Sequence, residues 1–143
     1  MKNVTKLLLV LTVFAVGFSS CSKEKRIEKH LYSKSGKWNN TLYEYKYYQD
    51  GSLEDATTYT NAGFIEFKEN GTYVWTFAVN GNTDVSSGTW TNTDTQLSMT
   101  EGGTTVWQIL EESKKTLKIE YTEINTQFGE EKEVYTLTFE KSK

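Results

Sequence analysis

The chain has 143 residues, of which 24% are charged and 14% aromatic, with ten glycines and no proline. Its formal net charge of −3 argues against a nucleic-acid-binding protein, because such proteins present a basic face. The length fits one domain. A single cysteine excludes an internal disulfide, so the hydrophobic core has to hold the fold.

The first residues have the organisation of a secretory signal peptide. Lys2 and Lys6 give a positive start, residues 7–18 form an apolar run, and small residues precede Cys21. The run is too short to cross a bilayer, which takes roughly 20 apolar residues. We therefore expect residues 1–20 to be removed. Cys21 is then either a free thiol of a secreted protein or the attachment point of a lipid.

The residues around the cleavage site resemble a bacterial lipobox. Phe18-Ser19-Ser20-Cys21 is similar to the looser boxes of Bacteroidota-type lipoproteins. The resemblance implies that Cys21 is lipidated and serves as a membrane anchor. Two or more acyl chains give stable anchoring, whereas one chain binds the membrane only marginally. It also implies an outer-membrane lipoprotein on the periplasmic or cell-surface face.

A charged tether is predicted at residues 21–35, ahead of one domain at residues 36–143. Ile27 and Leu31 are four residues apart, which favours a short helix that packs on the domain. We expect residues 22–35 to be dispensable for the stability of the domain. His30 is the only histidine and is expected on the surface, since no second histidine or cysteine accompanies it as a metal ligand or catalyst.

From Trp38 onward the residues alternate between apolar and polar, which is typical of strands with one buried face. Turn sequences such as Asn70-Gly71 and Asn80-Gly81 separate the runs. The pattern predicts an all-β protein of eight strands, or nine if residues 56–60 also pair. Short turns between consecutive strands favour an antiparallel up-and-down meander, and closure into a barrel would remove its edges.

One segment allows two orientations. In residues 104–110 either Trp107 and Ile109 face inward, or Val106 and Leu110 do. Both faces are apolar, so the alternation does not decide between them.

Several short motifs resemble the lipocalin family. Gly36-Lys37-Trp38 begins the first strand, as in the lipocalin signature, and further segments follow in the same order: residues 67–73, Gly88-Thr89-Trp90, residues 107–110 and residues 117–119. The succession is similar to lipocalin-like lipoproteins of Bacteroidota over about residues 36–140. The resemblance implies a barrel in which Trp38 is a structural plug at one end and a small apolar or amphipathic ligand occupies the lumen.

The candidates for lining that lumen are aromatic residues of the strands: Tyr73, Trp75, Phe77, Trp90, Trp107 and Tyr121. The same rings would also serve as the core of a filled eight-stranded barrel. An open lumen predicts a ligand-binding or carrier lipoprotein of the cell envelope. A filled lumen predicts a non-catalytic structural module that binds another envelope protein.

The sequence argues against an enzyme, a metal site or a cofactor. The predicted barrel has no cysteine or histidine for nucleophilic or base catalysis, and the chain has no metal-binding motif. Paired carboxylates can also catalyse hydrolysis, and Glu44, Glu66 and Glu120 are candidates. All three lie on the face opposite the aromatic residues, where solvent is the expected environment.

Lipidation at Cys21 is tested by replacing the cysteine. Cys21→Ser should remove the acyl chains and move the protein from the membrane fraction to the soluble fraction, because the apolar run is absent from the mature chain. Metabolic labelling with a fatty-acid analogue measures this directly. Equal labelling of both proteins would contradict the prediction.

Overall fold

The computed structural model describes residues 23–127 and 129–143. The predicted signal peptide and Cys21 lie outside these residues. A helix, α1 (residues 23–32), precedes nine strands. They are β1 Lys37–Gln49, β2 Ser52–Thr60, β3 Gly63–Phe67, β4 Thr72–Val79, β5 Asn82–Asn92, β6 Gln96–Glu101, β7 Gly103–Glu112, β8 Thr116–Asn125 and β9 Glu131–Lys141. Within the described ranges no helix has the length and apolarity needed to cross a membrane.

The strands form one antiparallel sheet that closes on itself. Neighbours pair in the order β2-β1-β3-β4-β5-β6-β7-β8-β9, and β9 also pairs with β1. Along the other edge of β1, β3 pairs with Lys37–Asn39 and β2 pairs with Leu42–Gln49. The closed ring therefore has eight strands, with β2 as an extension of β3. This confirms the predicted all-β, lipocalin-like barrel, including pairing by residues 56–60.

The break between β2 and β3 comes from backbone geometry. Asn61 and Gly63 both have positive φ angles, of 54° and 95°. A Cβ atom at Gly63 would lie 1.9 Å from the Thr76 carbonyl oxygen, so only glycine permits this approach of β3 to β4. The chain thus stops pairing as β2 along β1 at this point, and β3 pairs with β4 to continue the barrel.

The core fills the half of the barrel where β1 begins and β9 ends, which we call the closed end, and it extends to Trp107 in the middle of β7. Its residues are nearly inaccessible to solvent: Ile27, Leu31, Trp38, Ile65, Phe67, Tyr73, Trp90, Leu97, Met99, Trp107, Leu117, Ile119, Leu137 and Phe139. Ile27 and Leu31 belong to α1, which covers this end. The helix is therefore part of the folded domain, and the expectation that residues 22–35 are dispensable for its stability is not supported.

Polar contacts join α1 to the barrel at both ends of the helix. The Trp38 indole Nε1 donates to the Leu31 carbonyl at 2.9 Å, and Lys141 Nζ donates to the carbonyls of His30 and Leu31 at 2.8 and 2.9 Å. Lys141 also lies 4.3 Å from the centre of the Trp38 ring. At the other end, Asn92 Nδ2 donates to the Glu24 carbonyl. The last carbonyls of the helix are thus satisfied by donors of β1 and β9.

Lys141 keeps this position at an electrostatic cost. Burial is the main cause that lowers the pKa of Lys141 to about 8, and the positive charge of Lys34 contributes to the same shift. The ammonium is compensated by the two helix carbonyls and by the face of the Trp38 ring, since a cation is favoured at both.

The expectation that His30 lies on the surface is wrong. Its side chain is 14% exposed and its Nδ1 contacts the carboxylate of Glu112, which is 6% exposed. Arg26 approaches the same carboxylate at 3.7 Å. Glu112 lies 82 residues from His30 in the chain, so no local pattern could reveal this partner.

The orientation of residues 104–110 is settled by burial. Trp107 is buried and Ile109 packs against the core, whereas Val106 and Leu110 are exposed. The outer face of β7 is therefore open to solvent, although its sequence is apolar.

Removing the core contact of α1 should destabilise the whole domain. Leu31→Ala should lower the free energy of unfolding by about 2–5 kcal/mol, because a fully buried leucine leaves a cavity while alanine preserves helix propensity. Lys29→Ala, an exposed change on the same helix, is the control and should change the stability by less than about 0.5 kcal/mol. Urea denaturation followed by tryptophan fluorescence measures both. Equal effects would show that α1 is a detachable tether.

Candidate functional site

The half of the barrel opposite α1, which we call the open end, contains a cavity. It has a volume of about 270 Å³, is open to solvent, and is lined by Tyr43, Trp75, Phe77, Asp84, Ser86, Trp107 and Tyr135. A second space of about 160 Å³ shares Trp75, Ser86 and Trp107 with it. This second space reaches the wall between β5 and the β6–β7 hairpin. The lumen is therefore filled at the closed end and empty at the open end.

The wall of the open end is divided into three ribbons. β5 pairs with β6 only through Thr89–Asn92, and β8 pairs with β7 only from Gln108 onward. β4 pairs with β3 but not with β2. The ribbons are thus β4–β5, β6–β7 and the four strands β8–β9–β1–β2. Ladder hydrogen bonds connect these ribbons near the closed end but not at the open end.

Aromatic contacts connect the ribbons where the ladder stops. We call this group the aromatic belt, and it consists of Tyr43, Tyr45, Trp75, Phe77, Trp107, Tyr121 and Tyr135. Ring centres lie 5.2 Å apart for Tyr43 and Phe77, which joins β1 to β4. They lie 6.1 Å apart for Trp75 and Trp107, and 5.7 Å apart for Trp107 and Tyr121.

The belt continues through β9 back to β1. Tyr121 stacks on Tyr135 at 6.0 Å, and Tyr135 contacts Tyr45 at 5.2 Å. Such tilted and edge-on pairs each contribute about 0.5–1.5 kcal/mol beyond burial. The belt therefore surrounds the lumen and holds the ribbons together at the open end, where no ladder pairs join them among the described residues.

Trp75 differs from the tryptophans of the closed end in its hydrogen bonding. The indole N–H of Trp38 donates to Leu31, and that of Trp90 donates to the carbonyls of Lys68 and Thr72. The indole Nε1 of Trp75 is buried and has no hydrogen-bond partner among the described residues. A buried donor without a partner costs about 1–3 kcal/mol, so Trp75 is held by its ring contacts and not by its polar atom.

Above the belt, the inward positions of the strands carry carboxylates. Side chains alternate between the two faces of a strand, and the acidic residues on the same face as the belt are Asp55, Asp84, Glu101, Glu123, Glu131 and Glu133. Lys46, Lys118 and Lys132 occupy outward positions on β1, β8 and β9. The mouth of the barrel is therefore acidic on its inner side.

The carboxylates at the mouth raise the pKa of a neighbouring tyrosine. The hydroxyl of Tyr135 donates to Glu133. Burial raises the pKa of Tyr135 above its ordinary value, and the hydrogen bond and charge of Glu133 raise it further. The hydroxyl therefore keeps its proton and acts as a donor to the carboxylate.

The structure divides the predicted ligand-binding residues into two groups. Trp75, Phe77 and Trp107 line the cavity, and Tyr121 belongs to the belt. Tyr73 is buried beneath them and lines only the smaller space. These five residues face the lumen, as the alternation of apolar and polar residues predicted.

Trp90 is not at the site. It lies at the closed end, where its ring packs edge-on against Phe67 at 5.4 Å and its N–H is bonded to the turn at Lys68. Alternation gives the face of a strand that a residue occupies but not its height along the barrel axis. Trp38, predicted as a plug, is 0% exposed beneath the lumen.

Four lining residues were missed by the sequence analysis. Tyr43 and Tyr135 lie on the aromatic face of their strands, so the same alternation contains the signal for them. Asp84 and Ser86 follow a turn in a polar stretch, and only the pairing of β4 with β5 places them beside Phe77 and Trp75. Among the described residues, no group of three metal-ligating side chains occurs.

Comparison with known proteins gives distant structural likenesses. No protein-family model matches the chain, and no curated protein matches it. Among solved structures, the chain is similar to a deswapped triple mutant of bovine odorant-binding protein, with 14% identity and a TM-score of 0.41. The likeness covers 73% of this chain and 71% of the other. The fold assignment therefore rests on the strand pairing described above.

Two matched substitutions separate the roles of the tryptophans. Trp75→Phe should change the free energy of unfolding by less than about 1 kcal/mol, because it removes a buried donor that has no partner. Trp38→Phe should lower it by about 2 kcal/mol or more, since it loses a hydrogen bond and leaves a cavity in the core. Urea denaturation compares them. Equal losses would show that Trp75 is as much a part of the core as Trp38.

Proposed function

We propose that this protein is a cell-envelope lipoprotein whose barrel binds a small apolar or amphipathic ligand in the open half of its lumen. The observation that carries the proposal is the cavity of about 270 Å³ with aromatic walls. Ligand pockets typically combine such walls with a few polar groups, and those for drug-sized molecules occupy about 300–1,000 Å³. The ligand is accordingly a single-ring or medium-chain molecule, smaller than a sterol or a haem.

The closed end supports the lipoprotein part of the proposal. Cys21 precedes the start of α1 by two residues in the sequence, and α1 packs under the closed end. A lipid on Cys21 would keep that end near the membrane. The open end would then point away from the membrane, where it is accessible to ligands.

The second candidate function is an interaction module of the envelope, which a filled lumen would favour. The exposed large apolar residues of the described chain are Leu53, Val85, Val106, Leu110 and Ile124. They are distributed over four strands, whereas a docking surface needs one continuous patch of several hundred Å². The empty open half therefore supports the ligand-binding function over this alternative.

Tryptophan fluorescence tests ligand binding. We expect 1-decanol or 4-ethylphenol to change the emission saturably, because Trp75 and Trp107 line the cavity, while cholesterol is too large to enter. Trp75→Leu should weaken the affinity several-fold. Tyr48→Leu is the matched control, since Tyr48 lies on the outer face of β1 beneath Lys132, and it should leave the affinity unchanged.

A negative result would decide for the other function. If neither small probe changes the emission of the parent protein, the carrier function should be abandoned in favour of the interaction module. If Tyr48→Leu weakens binding as much as Trp75→Leu does, the probes bind outside the lumen.

A further inference from the structure

We infer that the ligand of this lumen is a small amine, a molecule with an apolar body and one positively charged nitrogen. The inference rests on the proposed function and specifies its ligand class. It is carried by the cavity itself, whose walls are electron-rich rings and whose charged lining residue is a carboxylate, Asp84.

The rings of the cavity suit a cation. Tyr43, Trp75, Phe77, Trp107 and Tyr135 surround one space, and the face of an aromatic ring attracts an ammonium group within about 6 Å. Cages of several such rings are a recurrent way to bind organic cations. The apolar body of the same ligand would contact the rings without loss of polar interactions.

The charge at the mouth has one sign. Six carboxylates occupy inward positions level with the belt or above it, and none of the described lysine, arginine or histidine residues lines the cavity. The ion pairs found among the described residues all involve side chains of α1, so they do not neutralise the mouth. A cleft lined by one sign of charge concentrates ligands of the opposite sign.

The carboxylates also oppose one another. Glu123 and Glu133 face each other directly across β8 and β9, and like charges in that arrangement destabilise a sheet. Tyr135 donates a hydrogen bond to Glu133, which satisfies one acceptor but leaves the charge. A cationic ligand would offset this repulsion, whereas an anionic ligand would add to it.

The tyrosines report the same negative potential. Burial raises the pKa of Tyr45, and the carboxylates of Glu133 and Asp55 raise it further. Burial also raises the pKa of Tyr47, followed by the charge of Glu131 and a hydrogen bond to it. The carboxylate charges that hold protons on these phenols also favour the charged form of an amine, whereas burial acts against it.

A charge series on one molecular frame tests the inference. Tyramine, 4-ethylphenol and 4-hydroxyphenylacetate share a phenol ring and carry a positive charge, no charge and a negative charge at pH 7. Calorimetric titration of the purified protein should give an affinity for tyramine about tenfold higher than for 4-ethylphenol. It should show no measurable binding of 4-hydroxyphenylacetate.

Two variants with the same change in net charge test whether Asp84 recognises the amine. Asp84→Asn should weaken the binding of tyramine several-fold and leave the binding of 4-ethylphenol unchanged. Glu69→Gln is the control, because Glu69 is exposed in the turn between β3 and β4, at the closed end. It should leave both affinities unchanged.

Each outcome has a definite meaning. Equal affinities for tyramine and 4-ethylphenol would overturn the amine inference while ligand binding in the lumen is retained. Equal losses in Asp84→Asn and Glu69→Gln would show a general effect of surface charge and would also overturn it. If none of the three phenols binds, the amine inference fails, and the 1-decanol titration then decides whether the lumen binds ligands at all.

Discussion

The Leu31 carbonyl is the point where the helix and the barrel meet. It accepts hydrogen bonds from the Trp38 indole and from the Lys141 ammonium, and that ammonium also lies over the Trp38 ring. One helix end, the first strand and the last strand are thereby joined beneath the core. β1 and β9 also close the sheet. These contacts therefore hold the closed end together independently of the packing at the open end.

The wall of the open end is held together differently, because it consists of ribbons that aromatic side chains join. Segments with few ladder hydrogen bonds between them open locally at a lower free energy than the core. Here the contacts between Tyr43 and Phe77 and between Trp75 and Trp107 replace those bonds. The same rings line the cavity, so a ligand that fills the cavity would also bridge the ribbons. Ligand binding at this site would consequently increase the order of the wall.

Much of the fold could be predicted from the sequence, because alternation and turn residues are local signals. They identified the strands, the meander and the face on which Trp75 and Trp107 lie. They could not give the height of Trp90, which depends on how far β5 pairs with β6, or the burial of His30, whose partner Glu112 is distant in the chain. The acidic mouth was missed for a related reason, since its carboxylates come from five strands that are distant in the sequence. The net charge of the chain does not reveal it either, because the lysines elsewhere in the chain offset these carboxylates in the sum.

The central claim is that the barrel has a filled half and a ligand-binding half, and the four tryptophans report on both. Trp38 and Trp90 lie at the closed end, whereas Trp75 and Trp107 line the cavity. Fluorine NMR of protein labelled with 5-fluorotryptophan should give four resonances. Titration with tyramine should shift two of them, which single Trp→Phe variants assign to Trp75 and Trp107. A shift confined to Trp38 and Trp90, or no shift at saturating tyramine, would contradict the account.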